Sequence, residues 1–562
     1  MNIKPSNKND SKMNGAEALL KTLLNAGIDT VFSNPGTSEM HFVAGLDSSK
    51  EMRAVLTLFE GVATGAADGY SRMADKPAAT LLHLGCGLGN GLANLHNARK
   101  AKSSILNIVG DHATYHVNYD TPLQSDIETV ARNVSKWVRT SKNTSDLCND
   151  AAEAIVHAQS KPGNISTLIL PADVSWNKGA KPVPSLSLKS TEIVPIERIK
   201  ETAKILSTGE RCAFILGGKA LRESELLSAA KISKLTGAKL YAEVFPARIE
   251  RGVGLPEIER IAYFSEMASI QLNGFDHIIL IDSLPPVSFF AYPGKKSILV
   301  PEGCKTHQLV GFGEDVGKTL DILVEMLGAC KIVPNIQIID RPKIPSGKLT
   351  SHKVCQSIGA LLPNNAIISD ESQTSGVMLP FYTAKSPKHD LLTLTGGAIG
   401  QGLPVALGAA VACPDRPVIA LVSDGSAMYT IQALWSMARE KSNVTVIIFN
   451  NLSYGILNIE LQRVGANKIG DIARSQLNIA SPNLDFVQLG RGMGVSSTRV
   501  ETCEDFNNAF IAALAKDGPN LIEAVIPKTF SGVKLAALPH LLNSFKYMPY
   551  PLAKFVKKRI AP

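Results

Sequence analysis

The sequence predicts an α/β protein built from three doubly wound domains with mainly parallel sheets. Short apolar runs rich in β-branched residues end in turns containing Gly or Asn, and longer stretches of helical periodicity follow them. This is the wiring of parallel strands covered by helices on both faces. The runs are too many for one compact sheet, and 562 residues correspond to about three to five domains at roughly 100–200 residues each.

In chain order the predicted strands are 30–33, 79–84, 104–109, 166–170, 213–216, 239–242, 277–281, 297–300, 366–368, 417–422, 444–449 and 521–525. Two stretches rich in Pro, Ser and Lys, at 178–195 and 334–348, lack apolar periodicity and are read as linkers. The expected division is a polar extension at 1–12, domains at 13–180, 195–335 and 346–530, and a basic tail at 531–562.

A composition of 45% hydrophobic and 19% charged residues excludes a disordered chain. No apolar run reaches the roughly 18 residues of a bilayer span, and the polar opening lacks the apolar core of a secretory signal, so a cytoplasmic protein is expected. Eight widely spaced cysteines without a CxxC pair point to reduced, mostly buried thiols. The net charge of +8 is concentrated at the end: beyond Glu523 there is no acidic residue, while Lys528, Lys534, Lys546, Lys554, Lys557, Lys558 and Arg559 are all cationic. A nucleic-acid binder would spread a basic face over its folded body, so none is expected as partner. Pro549 and Pro551 interrupt any long membrane-surface helix, and the tail is expected to fold over the cleft or pack on a neighbour.

The sharpest chemistry lies in the third segment. The run 418–423 delivers Asp424 followed by Gly425 and Ser426, and the run 444–449 delivers Asn451 ahead of Ser453, Tyr454 and Gly455. Two parallel strands would bring a carboxylate and an amide oxygen to the carboxyl-end crevice where open α/β sheets bind ligands. Magnesium takes one or two protein oxygens with phosphates and water completing the octahedron, so Asp424, Asn451 and the Ser453 carbonyl suit it. Gly425 and Ser426 can offer N–H groups to a diphosphate at a helix start. Taken singly, the same residues are more often just a helix cap and an Asn turn.

The spacing of Asp424-Gly425 and Asn450-Asn451 resembles the signature of thiamine diphosphate enzymes, with Ser423 where the family usually has Gly. Over residues 12–530 the chain is most similar to benzoylformate decarboxylase and acetolactate synthase-like proteins, and the resemblance implies the thiamine diphosphate-binding fold. Asn-Pro-Gly-Thr-Ser-Glu at 34–39 resembles the first active-site loop, with Thr37 at a substrate-contacting position. The segment 59–70 resembles the one supplying the family's Glu, here Glu60, in the domain that takes the pyrimidine ring. A carboxyl beside the aminopyrimidine favours its imino tautomer, while the cofactor itself carries the carbanion chemistry.

The resemblance further implies that His83 faces the substrate carboxylate or relays protons, with His112, and beside it His116, near the same crevice. Glu371, Ser372, Gln373 and Thr374 match the loop beneath the diphosphate. Gly-Gly-Ala-Ile-Gly at 396–400 matches the loop that bends the cofactor, giving roles to Gly397 and Ile399. For each, a bland reading stands beside it: a helix first-turn acid for Glu60, a strand-end histidine for His83, a polar turn for 371–374, a core residue for Ile399.

The middle segment leaves FAD open, since Gly217-Gly218-Lys219 after a strand is compatible with a nucleotide or with none. Decarboxylase relatives place a histidine near the segment that here runs 285–294, and no His occurs there. Ile456 narrows the pocket and favours a small, pyruvate-like 2-oxo acid. The expected activity is therefore decarboxylation with carboligation to an acceptor, as lyase or transferase, in a homodimer or homotetramer with active sites at the subunit interface. Simple decarboxylation releasing an aldehyde, and a non-catalytic cofactor-binding or regulatory relative, are the alternatives. A nicotinamide or flavin oxidoreductase would need a GxGxxG loop, and none stands in a convincing context.

Overall fold

The computed structural model describes residues 13–466, 469–528 and 552. The polar extension and the basic tail, apart from Leu552, lie outside the described residues. Among the described residues no helix is long and apolar enough to cross a membrane.

Eighteen strands form three sheets among the described residues. The first has the order β2-β1-β3-β4-β6-β5, from β1 (Thr30–Asn34), β2 (Arg53–Leu56), β3 (Ala78–His83), β4 (Ile105–Asp111), β5 (Trp137–Thr140) and β6 (Ile165–Pro171), all parallel. The second, order β10-β8-β7-β11-β12, is parallel too: β7 (Cys212–Leu216), β8 (Lys239–Ala242), β10 (Glu259–Arg260), β11 (His277–Ile281) and β12 (Lys305–Val310). The third, order β17-β18-β16-β15-β13-β14-β9, contains β13 (Ala366–Glu371), β14 (His389–Thr393), β15 (Val418–Ser423), β16 (Val444–Asn450), β17 (Ser496–Val500) and β18 (Asn520–Val525). Its edge strand β9 (Ile249–Arg251) pairs antiparallel with β14.

The chain forms two compact units. One holds the described part of Met1–Ser190 with Leu394–Asp415 and Tyr429–Val444, and so the first sheet; the other holds Thr191–Thr393, Arg416–Met428 and the described residues from Thr445 on, with the second and third sheets.

In the first unit, the helix Glu60–Ala74 is buried from Glu60 to Met73, and its many Ala and Gly residues let neighbours approach it closely. The helix Gly402–Ala412 lies against it backbone to backbone: a Cβ at Gly69 would meet the Val405 carbonyl at 2.1 Å, and one at Gly408 the Ala66 carbonyl at 1.9 Å. Asp68 and Arg72, 0% and 2% exposed in their side chains, pair at 2.6 Å and neutralise one another inside this contact. The position of Glu60 is thus fixed by close packing.

All predicted strands form except 297–300, which is irregular and makes only an isolated bridge between Val287 and Ile298. Leu299 is buried with Val300 packed beside it, but Ile298 is 62% exposed and, among the described residues, the run pairs with no strand of a sheet. The sequence reading also missed β2, β5, β9, β10, β12, β14 and β17, which are edge strands, very short, or carry polar residues. Leu84 begins a helix instead of ending β3 and takes a left-handed φ of 56°. The cysteines are free thiols, with Cys148, Cys212, Cys355 and Cys503 buried and Cys86 and Cys330 exposed.

Candidate active site

In the first unit the carboxyl ends of β1, β3 and β4 gather predicted residues. Glu60 opens its helix, where the unpaired N–H groups favour a negative charge, and is 8% exposed. Asn90 Nδ2 donates to its Oε2 at 3.0 Å. A Cβ on Gly87 would come within 3.1 Å of Oε1, so the glycine keeps that oxygen approachable.

His83 ends β3 in register with Gly110 of β4. Its Nδ1 lies 2.8 Å from Glu39 Oε2, the same oxygen that accepts Gly36 N–H at 2.7 Å. Burial pushes the Glu39 carboxyl up, against the opposing pull of His83. Thr37 is exposed in the same short turn, Thr37–Glu39. His112 is half-buried on the neighbouring strand end, its Nε2 3.2 Å from Thr121 Oγ1 and its ring 5.6 Å from that of His116. Beside it Asp111 is raised by burial.

The loop 396–400 is held by the helix Leu84–Ala101. Asn97 donates to the Ala398 carbonyl at 2.8 Å and accepts from Ala398 N–H at 3.2 Å, and Asn94 donates to the Gly400 carbonyl at 3.2 Å. Gly397 and Gly400 take φ of 77° and 96°, which favours glycine at both. Ile399 between them is half-buried, unlike an ordinary core isoleucine.

In the second unit β15 delivers Asp424, which is 1% exposed. Its Oδ1 accepts from Gly425 N–H at 2.8 Å, and its Oδ2 from Asn451 N–H at 2.9 Å and Leu452 N–H at 2.7 Å. Ser423 has φ −74° and ψ 151°, an extended conformation open to any residue, so the turn does not need the family's glycine. The two asparagines divide: Asn450 donates to buried Glu523 at 2.7 Å, whereas Asn451 Oδ1 accepts from Ser453 N–H at 3.0 Å. The Ser453 carbonyl accepts from Gly455 N–H at 2.8 Å. The Tyr454 ring lies against Gly425, where a Cβ would meet it at 2.4 Å, and Thr374 Oγ1 approaches Gly455. Ser426 is buried behind Asp424 at the helix start. Glu371 ends β13 beside β15 and is buried with Ser372, whereas Gln373 is exposed at a left-handed φ of 50°.

These residues fit a magnesium diphosphate. Desolvation pushes the Asp424 carboxyl up to about 6, and its hydrogen bonds come from backbone N–H groups, with no ion pair to Lys, Arg or His among the described residues. A buried carboxylate without a cationic side chain suits a bound cation. Among the described residues no group of three or more His, Cys, Asp or Glu could hold a metal, so the remaining ligands would be the Asn451 amide, the Ser453 carbonyl and the diphosphate, a hard-cation set.

The structure therefore brings together Glu39, His83 and His112 at one edge, Glu60 with Asn90, and Asp424 with Asn451, Ser453, Tyr454 and Gly455. The sequence reading gave no role to Glu39 or to Asn90, Asn94 and Asn97. The signal for the latter was present: Asn90, Asn94 and Asn97 recur at helical spacing and so share one helix face.

Residues 13–132 match the model of the N-terminal TPP binding domain of thiamine pyrophosphate enzymes, and residues 370–524 that of the C-terminal TPP binding domain. A Mycobacterium tuberculosis protein provisionally named acetolactate synthase large subunit IlvX is 52% identical over 516 residues, 92% of this chain and 99% of its own. Benzoylformate decarboxylase of Pseudomonas aeruginosa is 28% identical over 540 residues, 88% of this chain and 96% of its own. Among solved structures, the thiamine diphosphate-dependent 4-hydroxybenzoylformate decarboxylase of Rhodococcus jostii RHA1 superposes with a TM-score of 0.81 at 26% identity, covering 92% of this chain and 99% of that one.

Proposed function

Since the chain belongs to the thiamine pyrophosphate enzyme family, we propose that it decarboxylates a small, pyruvate-like 2-oxo acid and joins the remaining acyl unit to an acceptor, using thiamine diphosphate and magnesium. The observation that carries the proposal is Asp424, a carboxylate buried at a strand end and bonded, among the described residues, by backbone N–H groups alone. Asp424, Asn451 and the Ser453 carbonyl would hold the cation, and Gly425 and Ser426 the diphosphate. Thr374, Tyr454 and Gly455 would border it, with Glu371, Ser372 and Gln373 in the adjoining loop. When bound, thiamine diphosphate supplies the electron sink for loss of carbon dioxide.

The chain's own contribution is positional and protolytic. Glu60 would hold and release a proton at the pyrimidine ring, its Oε2 fixed by Asn90. Ile399, on a loop tied to Asn94 and Asn97, would lie against the cofactor and help to orient it. His83 would meet the substrate carboxylate or pass a proton, with Thr37 and His112 at its sides. Ile456, half-buried in the helix Gly455–Arg463, would limit the donor to a small side chain. We expect a homodimer or homotetramer with active sites at the subunit interface.

The second reading, simple decarboxylation to an aldehyde, is favoured by the structural likeness to a 4-hydroxybenzoylformate decarboxylase. Carbon dioxide release from a panel of 2-oxo acids, with product analysis, separates the two. Pyruvate turnover to a carboligated product supports the proposal, and a strong preference for aromatic 2-oxo acids with aldehyde release replaces it by the second reading. No release despite cofactor binding would point to a non-catalytic relative.

A further inference from the structure

We propose that Glu39 is a positioning residue for His83: its carboxylate keeps hydrogen on Nδ1, so that Nε2 is the ring nitrogen presented to substrate. The inference rests on the reading of His83 as the group that meets the 2-oxo acid.

The pair has the marks of a built device. Glu39 is fully buried although it lies in a three-residue turn at the mouth of a crevice. The backbone on both sides is cut away for it. A Cβ on Gly110 would lie 1.6 Å from Glu39 Oε1, and a Cβ on Gly36 would lie 2.3 Å from the His83 ring. Neither glycine has a left-handed φ, so neither is needed for backbone conformation; each is needed for space.

One oxygen, Oε2, serves both Gly36 N–H and His83 Nδ1. An oxygen already accepting from a backbone N–H is placed to accept from the ring as well, which puts the hydrogen on Nδ1. The other oxygen, Oε1, is buried with no hydrogen-bond partner among the described residues. A carboxyl oxygen left without a partner in a buried place is costly, and a merely structural turn would satisfy Gly36 N–H with a smaller residue. The bond to His83 is what the acid adds. Among the described residues His83 Nε2 has no hydrogen bond, and the side chain is 22% exposed, so the second nitrogen remains accessible. Imidazole chemistry depends on which nitrogen carries hydrogen, and the partner of the other nitrogen decides it.

The test uses full-length protein and has one arm that needs no turnover. Solid-state ¹⁵N NMR of histidine-labelled, cofactor-free protein, with His83→Asn to identify the resonance, should show Nδ1 of His83 carrying hydrogen. In Glu39→Gln, whose amide can donate as well as accept, a population with hydrogen on Nε2 should appear. A wild-type Nδ1 without hydrogen, or an unchanged spectrum in the variant, overturns the proposal. Because the wild-type spectrum decides alone, a variant that fails to fold does not remove the test.

In the kinetic arm, Glu39→Gln should lower kcat/KM for the 2-oxo acid about tenfold to a hundredfold, less than the roughly 10²–10⁴-fold of a group that itself transfers the proton, with thiamine diphosphate affinity unchanged. The double variant should lose no more than His83→Asn alone, since Glu39 acts through His83. Additive losses overturn the proposal. If wild type releases no carbon dioxide from any 2-oxo acid, the functional reading fails while the spectrum still decides the role of Glu39.

Discussion

The first two sheets are built on one plan, all-parallel strands with turns at their carboxyl ends, yet those ends are finished in opposite ways. In the six-stranded sheet, glycines at 36, 87 and 110 clear space around His83, Glu39 and Glu60, and His83 Nε2 and Glu60 Oε1 carry no hydrogen bond among the described residues. In the five-stranded sheet the turn after β7 is closed by its own chain: Asp282, just after β11, accepts from Lys219 N–H at 2.8 Å, and Glu243, just after β8, from Gly218 N–H at 3.3 Å. The N–H groups that such a turn would offer to a phosphate are taken by carboxylates. Topology supplies a crevice at every carboxyl edge, and the side chains placed there decide whether it is a site.

The largest effect expected from this contrast is at the open edge. Glu60→Gln keeps the shape and the bond from Asn90 but removes the titrating carboxyl, and should lower carbon dioxide release about 10²–10⁴-fold. Magnesium-dependent binding of thiamine diphosphate, followed by calorimetry, should persist. Loss of binding together with turnover would make Glu60 a structural acid and remove the contrast.

Next in size is the space itself. Gly110→Ala places a methyl where Glu39 Oε1 now lies, and overpacking of this kind costs about 1–3 kcal/mol. Urea unfolding should report that loss, accompanied by the tautomer change expected of Glu39→Gln. A neutral substitution would mean that Glu39 moves aside freely and does not hold His83.

A third expectation concerns pH in the metal half. Burial raises the Asp424 carboxyl to about 6. The raised value means that the group favours the fold when protonated, a contribution present below about pH 4 and lost as pH rises through 6. Cation binding requires the ionised form and offsets that cost. Affinity for thiamine diphosphate with magnesium should therefore fall about tenfold from pH 7 to pH 5, beyond the titration of the cofactor's own phosphates. A flat profile would place the metal elsewhere.

Most strands were legible in sequence because buried apolar runs mark them, whereas Asp424 and Asn451 were singled out at predicted strand ends and Glu60 and His83 only by the family resemblance. Asp424, Asn451, Glu60 and His83 each follow or open an element whose pattern is local. Ser423 was read as a departure, and its extended backbone shows why the turn tolerates it. Glu39 stood in a quoted motif but its partner is 44 residues away, and only the pairing of β1 with β3 brings them together. Strands such as β12, with its sequence Lys-Thr-His-Gln-Leu-Val, are half-exposed at an edge and lack the apolar run that reveals a buried strand.

The smallest effect is expected at the closed edge, and it tests the contrast from the other side. Gly218 has φ 44°, and a Cβ there would lie 2.0 Å from Asp282 Oδ2, so the carboxylate sits directly on the turn. A dinucleotide phosphate would have to displace Asp282 and Glu243 from the N–H groups of this turn. Purified protein should accordingly carry no flavin absorbance, and added FAD should change neither the melting temperature nor carbon dioxide release. Asp282→Asn removes one charge and leaves an acceptor for Lys219 N–H, so it should alter turnover by less than about twofold while leaving FAD unbound, because Glu243 still caps Gly218. Stoichiometric FAD in the wild-type protein would show that these carboxylates yield to phosphate, and the two edges would then differ in occupant and not in kind.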